Sequence, residues 1–123
     1  MIRLWAPVAL YMAAIFYASS LSVIPGRVGY VPDTVLHMAC YGGFALFVLR
    51  ALARGKWTGV TVGAAIAAWL LATLYGASDE WHQIYVPGRS PELRDRINDA
   101  AGALVAVGAA GAWGIMRRTS RAD

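Results

Sequence analysis

Between residues 64 and 72 the sequence reads AAIAAWLLA, and a helix built from these residues has no polar face. The stretch lies inside a longer uncharged run at residues 57–78. About 17–25 apolar residues are enough for a helix to cross a bilayer. A surface helix of a soluble four-helix bundle would instead carry polar residues along one side. The stretch therefore predicts a membrane-spanning helix and argues against a soluble bundle.

Three further runs carry no charged residue, at 4–26, 34–49 (apart from His37) and 100–116. Lipid cannot satisfy bare backbone groups, so each run must be helical. We predict an all-α, four-transmembrane-helix bundle in a single domain over residues 1–123, with spans at about 4–24, 34–50, 57–79 and 97–116. The composition agrees, because 59% hydrophobic and 15% charged residues exclude an ordinary soluble globule and a disordered chain. The first run also loosely matches a cleaved signal peptide, but it is long for a signal core.

The placement of charge predicts the orientation of the chain. Four spans put both termini and the loop between helices 2 and 3 on one side of the membrane, and the other two loops on the opposite side. The charged residues on the first side sum to +6, and those on the second side sum to −2. Basic loops favour the cytoplasm, so we expect both termini to be cytoplasmic. Aromatic residues at the two interfaces fit this arrangement: Trp5, Trp57 and Trp113 on the inner side, and Tyr30, Trp81 and Tyr85 on the outer side.

Polar residues gather at the predicted outer face. Asp33, His37 and Tyr41 are spaced i, i+4 and i+8, so they form one stripe on helix 2. Ionisable groups within a membrane are usually paired and functional, although a structural histidine bonded to a neighbouring helix is the alternative. Asp95 and Asp99 have the same spacing where helix 4 begins. Asp95 suits a helix cap, whereas Asp99 lies one turn deeper.

A second polar group follows helix 3. Asp79 and Glu80 end the helix. Acidic side chains are unfavourable there, because the C-terminus is the negative end of the helix dipole. We therefore expect a nearby cation to compensate their charge. Arg89 is the nearest, on the turn Val86-Pro87-Gly88-Arg89-Ser90-Pro91. Its guanidinium can bind a carboxylate or a phosphate through two parallel hydrogen bonds.

These residues resemble a known family. The segments Asp33-x3-His37-x3-Tyr41, Ser78-Asp79-Glu80-x-His82-Gln83-x3-Pro87-Gly88-Arg89-Ser90 and Asp95-x3-Asp99-x2-Gly102 are similar to the signature of VanZ-like membrane proteins, over about 70 residues. Thr34 departs from the pattern, since many members carry lysine there. The resemblance implies a multi-pass protein of the bacterial inner (cytoplasmic) membrane. The name-giving member of the family is associated with resistance to the glycopeptide teicoplanin.

The main hypothesis is a site that binds or processes an anionic, lipid-linked headgroup of the cell envelope. Its candidate catalytic residues are His37, Asp79 and Glu80, with His37 moving a proton and oriented by Asp33 or Asp79. Its candidate substrate-binding residues are Asp33, Tyr41, His82, Gln83, Arg89, Ser90, Asp95 and Asp99. Whether the protein is an enzyme stays open, because Ser90 is only a weak candidate nucleophile.

Two alternatives are a non-catalytic scaffold, whose polar cluster only locks the helices together, and a transporter. The expected partners are membrane lipids, and no cofactor and no nucleic acid are predicted. A metal site built from Asp33, His37, Asp79, Glu80 and His82 is a further alternative, but the ligand spacing is not diagnostic. Stripes of small residues, as at Gly102, Ala106, Ala110 and Gly114, suit close helix packing or a homo-oligomer.

Overall fold

A computed structural model of the chain describes residues 1–22 and 31–120, and within these residues it is all-helical. The long helices are α1 (Ile2–Ser19), α2 (Asp33–Leu52), α3 (Val62–Gln83) and α4 (Leu93–Thr119), and a short 3₁₀ turn spans Trp57–Gly59. All four long helices are long and apolar enough to cross a membrane. The predicted all-α architecture with four spans is confirmed.

The helix boundaries differ from the predicted spans by three to five residues at five ends. α3 continues to Gln83, so Asp79 and Glu80 lie in its last turn rather than at its end, and α4 continues to Thr119. α3 begins at Val62, because the Thr61 hydroxyl accepts a hydrogen bond from the Ala64 amide at 3.1 Å and caps the helix there. α4 begins at Leu93, earlier than predicted from hydropathy, since its first turn is charged yet still helical. α1 ends at Ser19, and the predicted end of the first span, at 24, lies outside the described residues.

α2 occupies the centre of the bundle and packs against the other three long helices. Its buried side chains Phe44, Val48 and Leu49 form the middle of the hydrophobic core. The outward side chains of α3 are apolar as well, and Ile66, Leu70 and Leu74 are exposed. An apolar exterior is what a helix presents to lipid.

Close approach of α2 and α4 depends on glycine. A Cβ atom added at Gly102 would overlap the carbonyl oxygen of Met38, so only glycine lets the two backbones touch. Gly42 faces the same contact, where an added Cβ would lie 3.1 Å from the Gly102 oxygen. By contrast, Gly63 on α3 is exposed, and an added Cβ there would meet only the Thr61 hydroxyl at 4.0 Å.

The up-and-down chain path brings the end of α1, the start of α2, the end of α3 and the start of α4 to one end of the bundle, which we call the polar end. The opposite end holds the connection at 53–61, where the Arg118 side chain donates to the Val60 carbonyl. Trp81 and Tyr85 are exposed near the polar end, and Trp5, Trp57 and Trp113 are exposed near the other. Tyr30 lies outside the described residues, and the side of the membrane that each end faces stays a prediction.

Candidate functional site

His37 lies between two carboxylates of α4. Its Nδ1 atom is 2.8 Å from Asp99 Oδ1, and its Nε2 atom is 3.5 Å from Asp95 Oδ2. Asp33 and Asp79 were the expected orienting partners, but the structure gives this position to Asp99. The reason is the Gly102 contact, which holds α4 against α2 and turns the face bearing both aspartates towards His37. Asp95 is therefore a partner of His37 rather than the cap of α4, whose N-cap residue is Glu92.

Glu80 is buried at the junction of α3 and α4, with only 1% of its surface exposed. Its Oε2 atom accepts a hydrogen bond from the Glu92 backbone amide at 3.0 Å, and its Oε1 atom accepts one from Gln83 Nε2 at 3.4 Å. The same Gln83 nitrogen lies 3.4 Å from Asp79 Oδ2, so one amide group joins the two adjacent acids. The sequence-predicted residues Asp79, Glu80 and Gln83 thus form one connected group.

Three side chains from three helices converge beside this group. His37, Glu80 and Asp95 each offer one ligand atom, and these atoms all lie within 4.8 Å of one another. The set shares His37 and Glu80 with the metal site considered from the sequence, but Asp95 replaces its other members. These three residues are the ones that could hold a metal ion.

Tyr41 lies one turn deeper than His37 and is 3% exposed, and no described residue hydrogen-bonds its hydroxyl. Its ring and the Asp99 carboxylate both press against Gly76, where an added Cβ would lie 2.9 Å from Asp99 Oδ2 and 3.1 Å from Tyr41 Cε1. Sequence reasoning missed Gly76. Its position, one turn before Glu80 on the same side of α3, is a signal that could have revealed it.

Arg89 lies in the connection between α3 and α4, after the turn predicted from Pro87 and Gly88. Gly88 has φ +79°, a left-handed conformation that favours glycine. Arg89 is half-buried, its buried Nε atom has no hydrogen-bond partner, and it forms no ion pair with any residue the structure describes. The expected ion pair of Arg89 with Asp79 or Glu80 is therefore absent among those residues. Ser90, beside it, is exposed.

The remaining predicted residues lie at the edges of the polar end. His82 faces α1, where its ring stacks on Phe16 with centroids 4.5 Å apart and its Nδ1 atom is 3.5 Å from Ser19 Oγ. The structure therefore does not bring His82 into the group around His37. Ser19, which is 4% exposed, was not singled out from the sequence. Asp33 is half-buried at the start of α2, one turn before His37.

Hydrogen bonding at the polar end is incomplete. Within residues 1–22 and 31–120, four buried polar atoms there have no hydrogen-bond partner: Tyr41 Oη, Asp79 Oδ1, Arg89 Nε and Asp95 Oδ1. Buried polar groups are nearly always hydrogen-bonded in folded proteins. These atoms are one cationic donor, one hydroxyl and two carboxylate oxygens.

Comparison with known proteins gives one match. A family model described as VanZ/LLP1 matches residues 8–114, which include every residue of the polar end named above. No curated protein and no solved structure matches the chain significantly.

Proposed function

The chain belongs to the VanZ/LLP1 family of membrane proteins, and from this premise we propose that its polar end binds or processes the anionic headgroup of an envelope lipid or lipid-linked precursor. The charge distribution predicts that this end faces the outside, where the headgroups of the outer leaflet lie. We also propose that the membrane is the inner (cytoplasmic) membrane of a bacterium. The headgroup ligand and the bacterial membrane are both proposed from what the family resemblance implies.

The observation that carries the proposal is the half-buried Arg89, whose Nε atom is buried and has no hydrogen-bond partner among the residues that the structure describes. A guanidinium forms strong, charge-assisted hydrogen bonds with phosphate or carboxylate oxygens. Leaving such a donor buried and unused costs about 1–3 kcal/mol or more, since the group is charged. A bound phosphate would remove this cost.

If the site is catalytic, His37 is the group suited to move a proton. Asp99 fixes one ring nitrogen at 2.8 Å, and the other nitrogen points towards Asp95 and Glu80. An imidazole held by a carboxylate is a common general acid or base. Phosphoryl or acyl chemistry on an envelope lipid is the reaction class that we propose.

The scaffold alternative rests on a different observation. The His37–Asp99 pair joins α2 to α4, and the Glu80 carboxylate joins α3 to the backbone at the start of α4, as a purely structural network would. A network that serves stability alone is expected to be fully satisfied, because partly satisfied buried networks are costly. The four unpartnered atoms therefore favour a ligand site over a scaffold.

Native mass spectrometry of the purified protein tests the proposal. We expect an anionic envelope lipid to co-purify with the wild-type chain and to be lost from Arg89→Ala. The matched control is Arg96→Ala, which removes an exposed arginine from the same end of the bundle. Equal amounts of lipid on the wild type, Arg89→Ala and Arg96→Ala would refute the site assignment.

A role in glycopeptide resistance is a separate proposal that follows from the family resemblance. Expression in a susceptible host should raise the inhibitory concentration of teicoplanin, and the increase should disappear with Arg89→Ala. An unchanged inhibitory concentration, with the protein present in the membrane, would reject this role without affecting lipid binding.

A further inference from the structure

We infer that the polar end is also a metal site, in which His37, Glu80 and Asp95 bind one divalent transition-metal ion of the Zn²⁺ or Mn²⁺ class. The three residues come from α2, α3 and α4, so the ion would join the three helices that pack most extensively. The inference that an ion binds is argued from the geometry of these three residues. Only the role of the ion towards a headgroup rests on the proposed function.

The distances between the ligand atoms suit a single ion. One atom from each residue lies within 4.8 Å of the other two. Ligand atoms about 2.0–2.2 Å from a tetrahedral metal are about 3.4 Å apart, so side-chain adjustments of about 1 Å would complete the site. Such adjustments are within reach of a glutamate and an aspartate side chain.

The second nitrogen of His37 supplies an independent argument. A metal-ligating histidine almost always gives its other ring N–H to a carboxylate or a carbonyl group, which fixes the tautomer and orients the ring. Asp99 Oδ1, 2.8 Å from Nδ1, provides that partner and leaves Nε2 facing Asp95 and Glu80. Asp99 is 2% exposed, so its carboxylate is held firmly in place.

The balance of charge also calls for a cation. Glu80, Asp95 and Asp99 place three carboxylates around the His37 imidazole, and among the described residues no lysine or arginine forms an ion pair with them. Buried charges are costly unless they are paired or coordinate a metal. Asp95 keeps one buried oxygen without a hydrogen-bond partner among the described residues. An ion in the cluster would offset this negative charge.

The donor set indicates the class of metal. Imidazole suits Zn²⁺ and other transition metals, and carboxylates suit Mn²⁺ as well, whereas Mg²⁺ and Ca²⁺ prefer all-oxygen sites. Three protein ligands leave at least one coordination position open. On the proposed function, a phosphate oxygen of the headgroup would take that position while Arg89 binds a second oxygen.

Metal titration of the purified, chelator-treated protein in detergent tests the inference without any lipid. We expect the wild type to bind one Zn²⁺ or Mn²⁺ per chain by calorimetry and elemental analysis. Glu80→Gln and Asp95→Asn remove one ligand each and should weaken binding at least tenfold. Asp99→Asn removes the orienting partner and should weaken it about 10–100-fold. The control Glu92→Gln removes an exposed carboxylate nearby and should bind like the wild type.

Several outcomes would overturn the inference. The inference fails if the wild type binds neither Zn²⁺ nor Mn²⁺, or if it prefers Mg²⁺ to both. It also fails if Asp95→Asn binds the metal with wild-type affinity. If Glu80→Gln does not fold, Asp95→Asn gives the same test, because its side chain is 16% exposed and tolerates change better. Absence of a co-purified anionic lipid from the wild type, with metal binding retained, would reject the proposed function and leave the metal site standing.

Discussion

Asp99 and His37 join α4 to α2 through a contact of 2.8 Å between Asp99 Oδ1 and His37 Nδ1, although the two residues are 62 positions apart in sequence. Replacing either partner leaves the other without its main contact. A double-mutant cycle with His37→Ala and Asp99→Ala should therefore give a coupling free energy of about 1–3 kcal/mol. Reversible unfolding in mixed micelles with increasing SDS measures it.

The control for this cycle pairs Asp99→Ala with His82→Ala. His82 stacks on Phe16 of α1, so its effect should add to that of Asp99→Ala within about 0.5 kcal/mol. Additive effects of His37→Ala and Asp99→Ala would contradict the pairing seen in the structure.

Gly102 is predicted to control the separation of α2 and α4. Gly102→Ala would force a methyl group into the Met38 carbonyl and should destabilise the bundle by about 1–3 kcal/mol, because the backbone must move. Gly108→Ala, on the same helix, meets nothing within 4 Å and should be neutral or stabilise the helix by up to about 1 kcal/mol. Thermal melting in detergent compares the two, and equal melting temperatures would show that the close approach does not stabilise the fold.

Gly76 should matter for the site as well as for stability. The added methyl group of Gly76→Ala would lie 2.9 Å from Asp99 Oδ2, and Asp99 cannot yield easily because His37 holds its other oxygen. We expect a loss of about 1–3 kcal/mol in the free energy of unfolding. We also expect weaker retention of co-purified lipid than in the control Gly111→Ala, which meets nothing within 4 Å. Wild-type stability and lipid retention in Gly76→Ala would argue against this crowding.

The fold was accessible from the sequence because the uncharged runs are long and lipid enforces helices. The meeting of the polar residues at one end follows equally directly, since consecutive spans reverse direction. The separation of His82 from Glu80 also follows from the sequence. Residues two positions apart on a helix are rotated by about 200°, so they face opposite sides. His82 accordingly reaches α1 while Glu80 reaches α4.

The partners of His37 were not accessible in the same way. Four aspartates lie at a similar depth in the bundle: Asp33, Asp79, Asp95 and Asp99. Which of them pairs with His37 depends on which helices are neighbours and on how each helix is rotated. That rotation is set by the contact of Gly102 with Met38. The stripe of small residues predicts close packing of α4 but does not say which helix it packs against. The incomplete hydrogen bonding of Arg89 likewise depends on the path of the 84–92 connection, which turn residues alone do not determine.

Cysteine labelling in intact cells tests most directly the claim that the polar end faces the outside. In a Cys40→Ala background, Ser90→Cys and Lys56→Cys place single thiols at exposed positions of opposite ends of the bundle. A membrane-impermeant thiol reagent should label Ser90→Cys in intact cells and should label Lys56→Cys only after the membrane is opened. Labelling of Lys56→Cys from outside, with Ser90→Cys protected until lysis, would contradict the account.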